Sequence, residues 1–245
     1  MNSRERVKRA IHFQGPDRIP HYLPDGGEND ILWLWIERPP DLEEWHPVNG
    51  HERRRDAWGV VWERASKDVN GEAVEWPIQD MRRQAEYVFP EANNPKYYAA
   101  AKAAIEENNR SENPKYCLGV TAFSSLYAGI HSIRGMHNMF TDYFEYPDDF
   151  KALIARFAEK QQESIRMLAE IGCDGYMGYD DLGLQDRLMI SPRMLEEFFM
   201  PHYRASWKLA HELGMDAWLH SCGYIIEILP MLIEAGLDVI QMDQQ

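Results

Sequence analysis

The 245-residue chain has little of what marks secreted and membrane proteins. Its three cysteines form no disulfide framework, which is typical of a protein from a reducing compartment. No apolar run reaches the length of about eighteen residues that a membrane span needs. The charged N-terminus, MNSRERVKRA, lacks the apolar core of a secretory signal. We therefore expect a cytoplasmic protein that does not bind membranes.

Basic residues and nucleotide-binding motifs are also scarce. The chain has 26 lysines and arginines against 40 aspartates and glutamates, a net charge of −14. Such a surface repels a phosphate backbone, so we expect no nucleic-acid partner. Neither G-x-G-x-x-G after the first strand nor G-x-x-x-x-G-K-[ST] occurs, which argues against an open nucleotide-binding sheet. The hydrophobic content of 44% is that of a globular protein with a large core.

From residue 95 onward the sequence alternates between helical and strand patterns. The segment 148–172 has apolar residues at helical spacing and ends at Gly172, a favoured stop. Ser191 and Pro192 begin a later helix as cap and first residue, Pro201 interrupts it, and Gly214 ends it. The other predicted elements are helices at 95–109, 132–145 and 225–235 and strands at 116–123, 174–180, 216–221 and 237–243.

The first part of the chain is less regular. The sequence predicts a helix over 3–14 with Ser3 as its N-cap, a first strand over 18–23 and then a loop. Residues 31–95 are predicted to be an irregular insertion rich in Trp and Pro. Within it, segments 59–64 and 72–78 predict a hairpin, because Asn-Gly lies at the end of their connection. Most of its tryptophans should pack in the core, and some can line a mouth for a flat ligand.

This alternation indicates a parallel sheet with helical crossovers, in a (β/α)8 barrel or a doubly wound open sheet. Polar residues at the carboxyl ends of several strands favour the barrel, whose active site lies on that rim. We therefore expect an α/β fold, a (β/α)8 TIM barrel in a single domain over 1–245. Because the sequence predicts five barrel strands and such a barrel has eight, we expect C-terminal truncation.

The stretch DAWLHSCG, 216–223, places an imidazole and a thiol at the end of a predicted strand. Side chains at i and i+2 of a strand share a face, so His220 and Cys222 should point the same way. Imidazole and thiolate together suit zinc better than magnesium or calcium. The alternative is that both residues fill the core beside a turn. Cys117 and Cys173 begin their strands and are expected to be buried, so no third thiolate lies on the same rim.

Other candidate residues lie at or just beyond the carboxyl ends of strands. Asp180 and Asp181 are catalytic candidates that can ligate a metal, act as acid or base, or bond to substrate; the alternative is a turn with side-chain caps. Histidines elsewhere are expected to lie mostly at the surface: His131, His137, His202 and His211. The substrate-binding candidates are Thr121, Phe123, Tyr179, Gln185 and Gln241.

The segments RERVKRAIHFQGPDRIPHY, DDLGLQ and LHSCG resemble the uroporphyrinogen decarboxylase-like superfamily, and the resemblance spans nearly the whole chain. It implies the (β/α)8 fold. The His-x-Cys pair is similar to the corrinoid-dependent methyltransferase branch, in which a His, a Cys and a later Cys hold zinc. The resemblance therefore implies zinc at His220 and Cys222, with the later Cys beyond residue 245. It also implies a corrinoid protein as partner and a thiol or folate as methyl acceptor, and it allows a homodimer.

Two alternative functions are also compatible with the sequence. A tetrapyrrole decarboxylase has an Arg-Gln-x-x-Arg signature after its first strand, where this chain reads YLPDGGEND. Without those arginines an octa-carboxylate substrate is poorly accommodated. The other alternative is a non-catalytic binding remnant, because a barrel without its last strands exposes sheet edges.

Overall fold

The computed structural model describes residues 1–23 and 28–243, and its fold is α/β. Short 3-10 helices cover Met81–Glu86 and Ile226–Ile228. The helices and strands are, in chain order, α1 (Ser3–Ile11), β1 (Ile31–Trp35), β2 (His46–Val48), β3 (His51–Arg55), β4 (Val61–Arg64), β5 (Glu72–Glu75), α2 (Pro95–Arg110), β6 (Tyr116–Val120), α3 (Leu126–Arg134), α4 (Met136–Glu145), α5 (Pro147–Ile171), β7 (Gly175–Tyr179), α6 (Pro192–Phe198), α7 (Met200–Glu212), β8 (Asp216–Ser221), α8 (Leu229–Glu234) and β9 (Val239–Met242).

The main sheet has five parallel strands in the order β1-β6-β7-β8-β9. Every residue of β6 is buried, as expected for a parallel strand covered on both faces. The long helix α5 packs against α2, α3 and α7 beside the sheet. The predicted parallel α/β fold is therefore confirmed. In the described part of the chain, β1 and β9 are the edges of this sheet.

The first strand of the sheet was predicted wrongly, because it is β1 and not 18–23. Residues 18–23 form no strand: Asp30 donates its backbone N–H to the His21 carbonyl, and its carboxylate accepts from the His21 N–H. Ile19 is 79% exposed, which excludes a core strand there. The predicted loop at 24–30 lies partly outside the described residues. Helix α1 also ends at Ile11 and not at 14, and its cap is Asn2, which accepts from the Glu5 N–H, and not Ser3.

Residues 31–95 are more ordered than predicted. They supply β1 and a second, antiparallel sheet of four strands in the order β2-β3-β4-β5. The predicted hairpin is confirmed as β4 and β5, with Gly71 at a φ of +85° in the connection. The sequence pattern missed β2 and β3 because they carry few apolar residues. Cross-strand ion pairs join β3 to β4 instead, at Arg53–Glu63 and Glu52–Arg64.

The second half of the chain follows the prediction closely. Helix α5 ends at Gly172, which adopts the left-handed conformation at a φ of +94°. The predicted helix at 132–145 is instead two helices, α3 and α4, which meet at Gly135 with a φ of +84°. The predicted helix at 225–235 starts as a 3-10 turn before α8. None of the described helices is long and apolar enough to cross a bilayer.

Helix α1 covers the amino ends of the strands through ion pairs. Acidic residues lie at the start of three strands, and basic residues of α1 and its C-cap reach them. The amino-terminal ends of parallel strands generally serve stability, and these pairs fit that role. The pairs, at 2.7 to 2.9 Å, are Arg6–Asp30, Arg4–Asp174, Lys8–Asp174 and His12–Asp216.

Asp30 gives this face a testable pH dependence. Burial raises the pKa of its carboxyl, but hydrogen bonds from Arg18, His21, Ser3 and Arg6 outweigh burial and lower the pKa below its usual value. A lowered folded-state pKa stabilises the protein above the unfolded value of about 4 and loses that contribution as pH falls through the folded value.

We expect Asp30→Asn to lower the free energy of unfolding by about 2 kcal/mol near neutral pH, the scale of hydrogen bonds to a charged group. Urea unfolding near pH 7 and again near pH 3 tests this, and the difference from the unmodified protein should shrink at the lower pH. An equal loss at both pH values would contradict the assignment.

Candidate metal centre

The carboxyl ends of β7, β8 and β9 bring the predicted metal ligands beside other polar groups. Tyr179 pairs with His220 in the strand register, and His220 pairs with Gln241. Cys222 follows the end of β8, and Asp181 follows the end of β7. Since the carboxyl ends of parallel strands lie at one edge of the sheet, these side chains surround a common space.

Three metal-binding side chains converge there. One ligand atom each of Asp181, His220 and Cys222 lies within 4.8 Å of the other two. His220 Nε2 is 3.3 Å from Cys222 Sγ and 3.6 Å from Asp181 Oδ1. Tetrahedral zinc with bonds of about 2.0–2.3 Å separates its ligand atoms by roughly 3.3–3.8 Å. The nitrogen, sulfur and oxygen donors suit zinc in type, and both distances from Nε2 lie within this range.

Gln241 fixes which nitrogen of His220 faces the cluster. Its amide nitrogen donates to Asp243, so its carbonyl oxygen faces His220 Nδ1 at 3.1 Å. Nδ1–H is therefore the donor to Gln241, and in the neutral imidazole the lone pair of Nε2 faces Cys222. Ligating histidines in proteins usually donate their other ring N–H in this way.

The electrostatics of the cluster favour a cation. Burial and the carboxylates of Asp181 and Asp243 raise the pKa of the Cys222 thiol to about 11. Sγ lies 3.6 Å from Asp243, and the Cys222 N–H donates to Asp181 Oδ1 at 2.9 Å. A dication among these groups offsets the charge of the carboxylates and favours the thiolate. The charge distribution and the donor types therefore both favour a bound cation.

Two glycines hold the loops of the cluster together. The Gly183 N–H donates to the Cys222 carbonyl at 3.2 Å, and the Tyr224 N–H donates to the Leu184 carbonyl at 2.7 Å. A Cβ on Gly223 would overlap the carbonyl group of Gly183. Gly223 also has a φ of +80°, which disfavours other residues. The segment that carries Asp181 is thereby fixed against the one that carries Cys222.

We expect Gly223→Ala to destabilise the protein by about 1–3 kcal/mol and to weaken zinc binding, since the two loops must separate. The matched control is Gly214→Ala, where φ is +78° but a Cβ meets nothing within 4 Å. Chemical denaturation and competitive zinc titration measure the two effects. If the two variants lose the same stability and the same affinity for zinc, the close contact between the loops is unimportant.

Asp180 lies next to Asp181 in sequence but is not brought to the cluster. Its carboxylate is buried and accepts from the backbone N–H groups of Leu126 and Ala128, at 2.9 and 2.8 Å, and from the Tyr203 hydroxyl at 2.6 Å. Burial raises its pKa to about 6. Consecutive residues of an extended chain point to opposite sides, so Asp180 caps helix α3 while Asp181 faces the metal ligands.

The predicted substrate-binding residues separate into two groups. Tyr179 lies against His220, with ring centroids 5.1 Å apart, and with Thr121 it lines a cavity of about 390 Å³. Gln241 contacts His220, as described above. Phe123 instead packs in the core, 1% exposed, and Gln185 is exposed in the loop after Asp181.

The other cysteines and histidines lie outside this cluster. Cys117 and Cys173 are buried, as predicted. His137 and His211 are exposed, also as predicted. His131 and His202, also expected at the surface, are half-buried, and burial lowers the pKa of both. Helix periodicity alone did not separate the half-buried pair from the exposed pair.

Comparison with known proteins supports the fold and identifies the family. The family model for uroporphyrinogen decarboxylase (URO-D) matches residues 118–245. Among solved structures, a methyltransferase from Methanosarcina mazei is similar with a TM-score of 0.65 and 12% identity, covering 98% of this chain and 75% of that chain. No curated protein sequence matches the chain. Because the family model spans more than half of the 245 residues, the chain belongs to the uroporphyrinogen decarboxylase (URO-D) family.

Proposed function

We propose that the protein is a zinc-dependent methyltransferase that transfers a methyl group between a corrinoid protein and a thiol or folate acceptor. The observation that carries this proposal is the convergence of Asp181, His220 and Cys222 within 4.8 Å. The structural similarity to a protein named as a methyltransferase supports the same class of reaction. We also propose that the five parallel strands belong to a (β/α)8 barrel and that the protein is cytoplasmic, in line with its free cysteines.

Each residue of the cluster has a defined role in this proposal. His220 Nε2, Cys222 Sγ and Asp181 Oδ1 hold the zinc, and Asp181 takes the place of a third ligand within the chain. Bound zinc supplies positive charge that favours the thiolate form of an acceptor thiol. Gln241 accepts from Nδ1–H and so orients Nε2 toward the zinc site, and the Tyr179 ring covers one side of the imidazole and limits the access of water.

Asp180 contributes by position and not by contact with the reacting atoms. It joins the end of β7 to the N-terminus of α3, and so fixes the residues on either side of it, Tyr179 and Asp181. We therefore replace the predicted catalytic role of Asp180 with a positioning role and keep Asp181 as the acidic residue at the reaction site.

The experiment measures zinc content and methyl transfer on the purified chain. We expect about one zinc per chain, and transfer from methylcobalamin to a small thiol that a strong chelator abolishes and added zinc restores. Thiol methylation that persists after complete removal of zinc would contradict the proposed mechanism. Absence of zinc from the protein purified in zinc-containing buffer would contradict the proposed site.

The decarboxylase alternative has less support. With the first strand now at β1, the residues that follow it, 36–40, read Ile-Glu-Arg-Pro-Pro. The Arg-Gln-x-x-Arg signature is therefore absent from this position too. Arg38 is a single guanidinium at the place where a substrate with eight carboxylates needs several.

A further inference from the structure

A cavity adjoins the candidate metal centre on the side of Tyr179. The cavity of about 390 Å³ lies between the carboxyl end of the parallel sheet and the antiparallel sheet. The aromatic side chains in its lining are Trp35, Trp58, Trp62 and Tyr179. Tyr179 is shared between the two sites, since its ring also packs against His220 and lies 5.5 Å from Trp35. A cavity of this size and composition suits a small planar ligand.

The cavity also presents a positive charge, the guanidinium of Arg38. Arg38 lines it and forms no ion pair with any carboxylate among residues 1–23 and 28–243. Asp56 lies on the same wall, but both of its oxygens are occupied. They accept from the N–H groups of Trp58 and Val60, at 2.9 and 3.0 Å, and from the Trp62 indole at 2.7 Å. Arg38 is therefore available to a ligand, whereas the Asp56 carboxylate is already hydrogen-bonded within the protein.

Hydroxyl groups complete the polar lining. Ser125 precedes α3 at the N-cap position, yet its side chain makes no capping hydrogen bond. Its hydroxyl is thus available to an acceptor in the cavity. The backbone N–H groups at the start of α3 are not available, because Asp180 occupies them.

The number of free hydrogen-bond donors in the cavity decides which kind of anion fits it. A phosphate carries more charge and needs several donors, and a free helix N-terminus would supply them. Here that N-terminus is filled by a carboxylate, and Asp56 adds a negative charge nearby. One guanidinium and one hydroxyl match a single carboxylate. Trp35 is 59% exposed, so part of its indole is accessible to a ligand ring.

We propose that this cavity binds a planar aromatic carboxylate, with its ring against Trp35, Trp58 and Trp62 and its carboxylate on Arg38. A role for this ligand in methyl transfer rests on the proposed function above. Its binding does not, because none of the three metal ligands lines the cavity.

Benzoate is the probe, with benzamide as its uncharged analogue and cyclohexanecarboxylate as its non-aromatic analogue. We expect saturable quenching of tryptophan fluorescence by benzoate, confirmed by calorimetry, with affinity at least about tenfold weaker for each analogue. Absence of saturable benzoate binding up to about 10 mM, or equal affinity for all three probes, would overturn the proposal.

The variant Arg38→Gln tests the position of the carboxylate. We expect it to weaken benzoate binding about tenfold and to leave benzamide binding unchanged, since only the charged contact is lost. The matched control is Arg166→Gln, an exposed arginine on α5 that also lacks an ion pair within the described residues. Equal benzoate affinity in the Arg38 variant and the control would overturn the assignment.

The outcomes for the two sites can be distinguished. Benzoate binding to a protein that holds no zinc would support the cavity and contradict the metal centre. Zinc binding without benzoate binding would leave the proposed function standing and overturn the cavity proposal. The binding assay uses the whole chain with and without zinc, so neither result depends on catalytic activity.

Discussion

Replacing Cys222 with Ser, or His220 with Ala, is expected to weaken zinc binding by roughly a hundred- to a thousandfold. Structural zinc sites bind with about 10–16 kcal/mol over four ligands, so one ligand contributes roughly 3–4 kcal/mol. Serine keeps the size of Cys222 but supplies a poor ligand for zinc. Competitive titration with a chromogenic chelator measures the affinity, and circular dichroism checks that the variant folds.

The matched control for Cys222 is Cys173→Ala. Cys173 precedes β7 at the amino end of the sheet, is buried, and lies outside the cluster of ligands. Its loss should leave the affinity for zinc unchanged. Unchanged affinity for zinc in the Cys222 variant, or loss of that affinity in the Cys173 variant, would contradict the proposed site.

Removing Asp142 is expected to cost about 3–5 kcal/mol of folding free energy, because it leaves a buried guanidinium without its counter-charge. The Arg134 and Asp142 side chains are 8% and 0% exposed and form two hydrogen bonds, of 2.6 and 3.0 Å. Arg134 also donates to the carbonyls of Ile78 and Gln79, both at 3.0 Å. It thereby joins the end of α3 to the segment that follows β5.

Chemical denaturation of Asp142→Ala measures this loss, and Glu197→Gln is the control. Glu197 pairs with Lys151 at 2.7 Å, but both side chains are more than 40% exposed. Surface pairs of this kind contribute about 1 kcal/mol or less. If the two variants lose the same stability, the buried pair does not hold α3 as described. Because Asp180 binds the other end of α3, a loosened helix should also disturb the metal centre.

The parts of the fold that the sequence predicted are those with local signals. Helix α5 has a regular apolar face and a glycine stop, and α6 begins with a cap and a proline. The short connections from α5 to β7 and from α7 to β8 leave little freedom for the strands. These signals placed His220 and Cys222 at the carboxyl end of β8 before any tertiary contact was known.

The parts that the sequence did not predict depend on distant contacts. Strand β1 is a short Trp-rich run whose pairing with β6 is set by the fold, and residues 18–23 looked more like a strand by composition alone. Strand β3 is mainly charged, and its partners on β4 lie about ten residues away. Ion pairs across strands have no periodic signature, so hydrophobic pattern analysis overlooks them.

The candidate metal centre likewise has parts that the sequence predicted and parts that it did not. The spacing of His220 and Cys222 indicated a shared face, but the third donor came from another strand end. Two adjacent aspartates follow β7, and only the fold decides that Asp180 caps α3 while Asp181 meets the ligands. Gln241 was expected to bind substrate, which stays a prediction, and its side chain contacts His220. Contacts between neighbouring strand ends cannot be deduced from one sequence.

The most direct test of the account is X-ray absorption spectroscopy at the zinc edge of the purified, zinc-loaded protein. We predict one sulfur neighbour at about 2.3 Å and the remaining neighbours as nitrogen or oxygen at about 2.0–2.1 Å. The sulfur signal should disappear in Cys222→Ser. Two or more sulfur neighbours, or none, would contradict a site built from Asp181, His220 and Cys222.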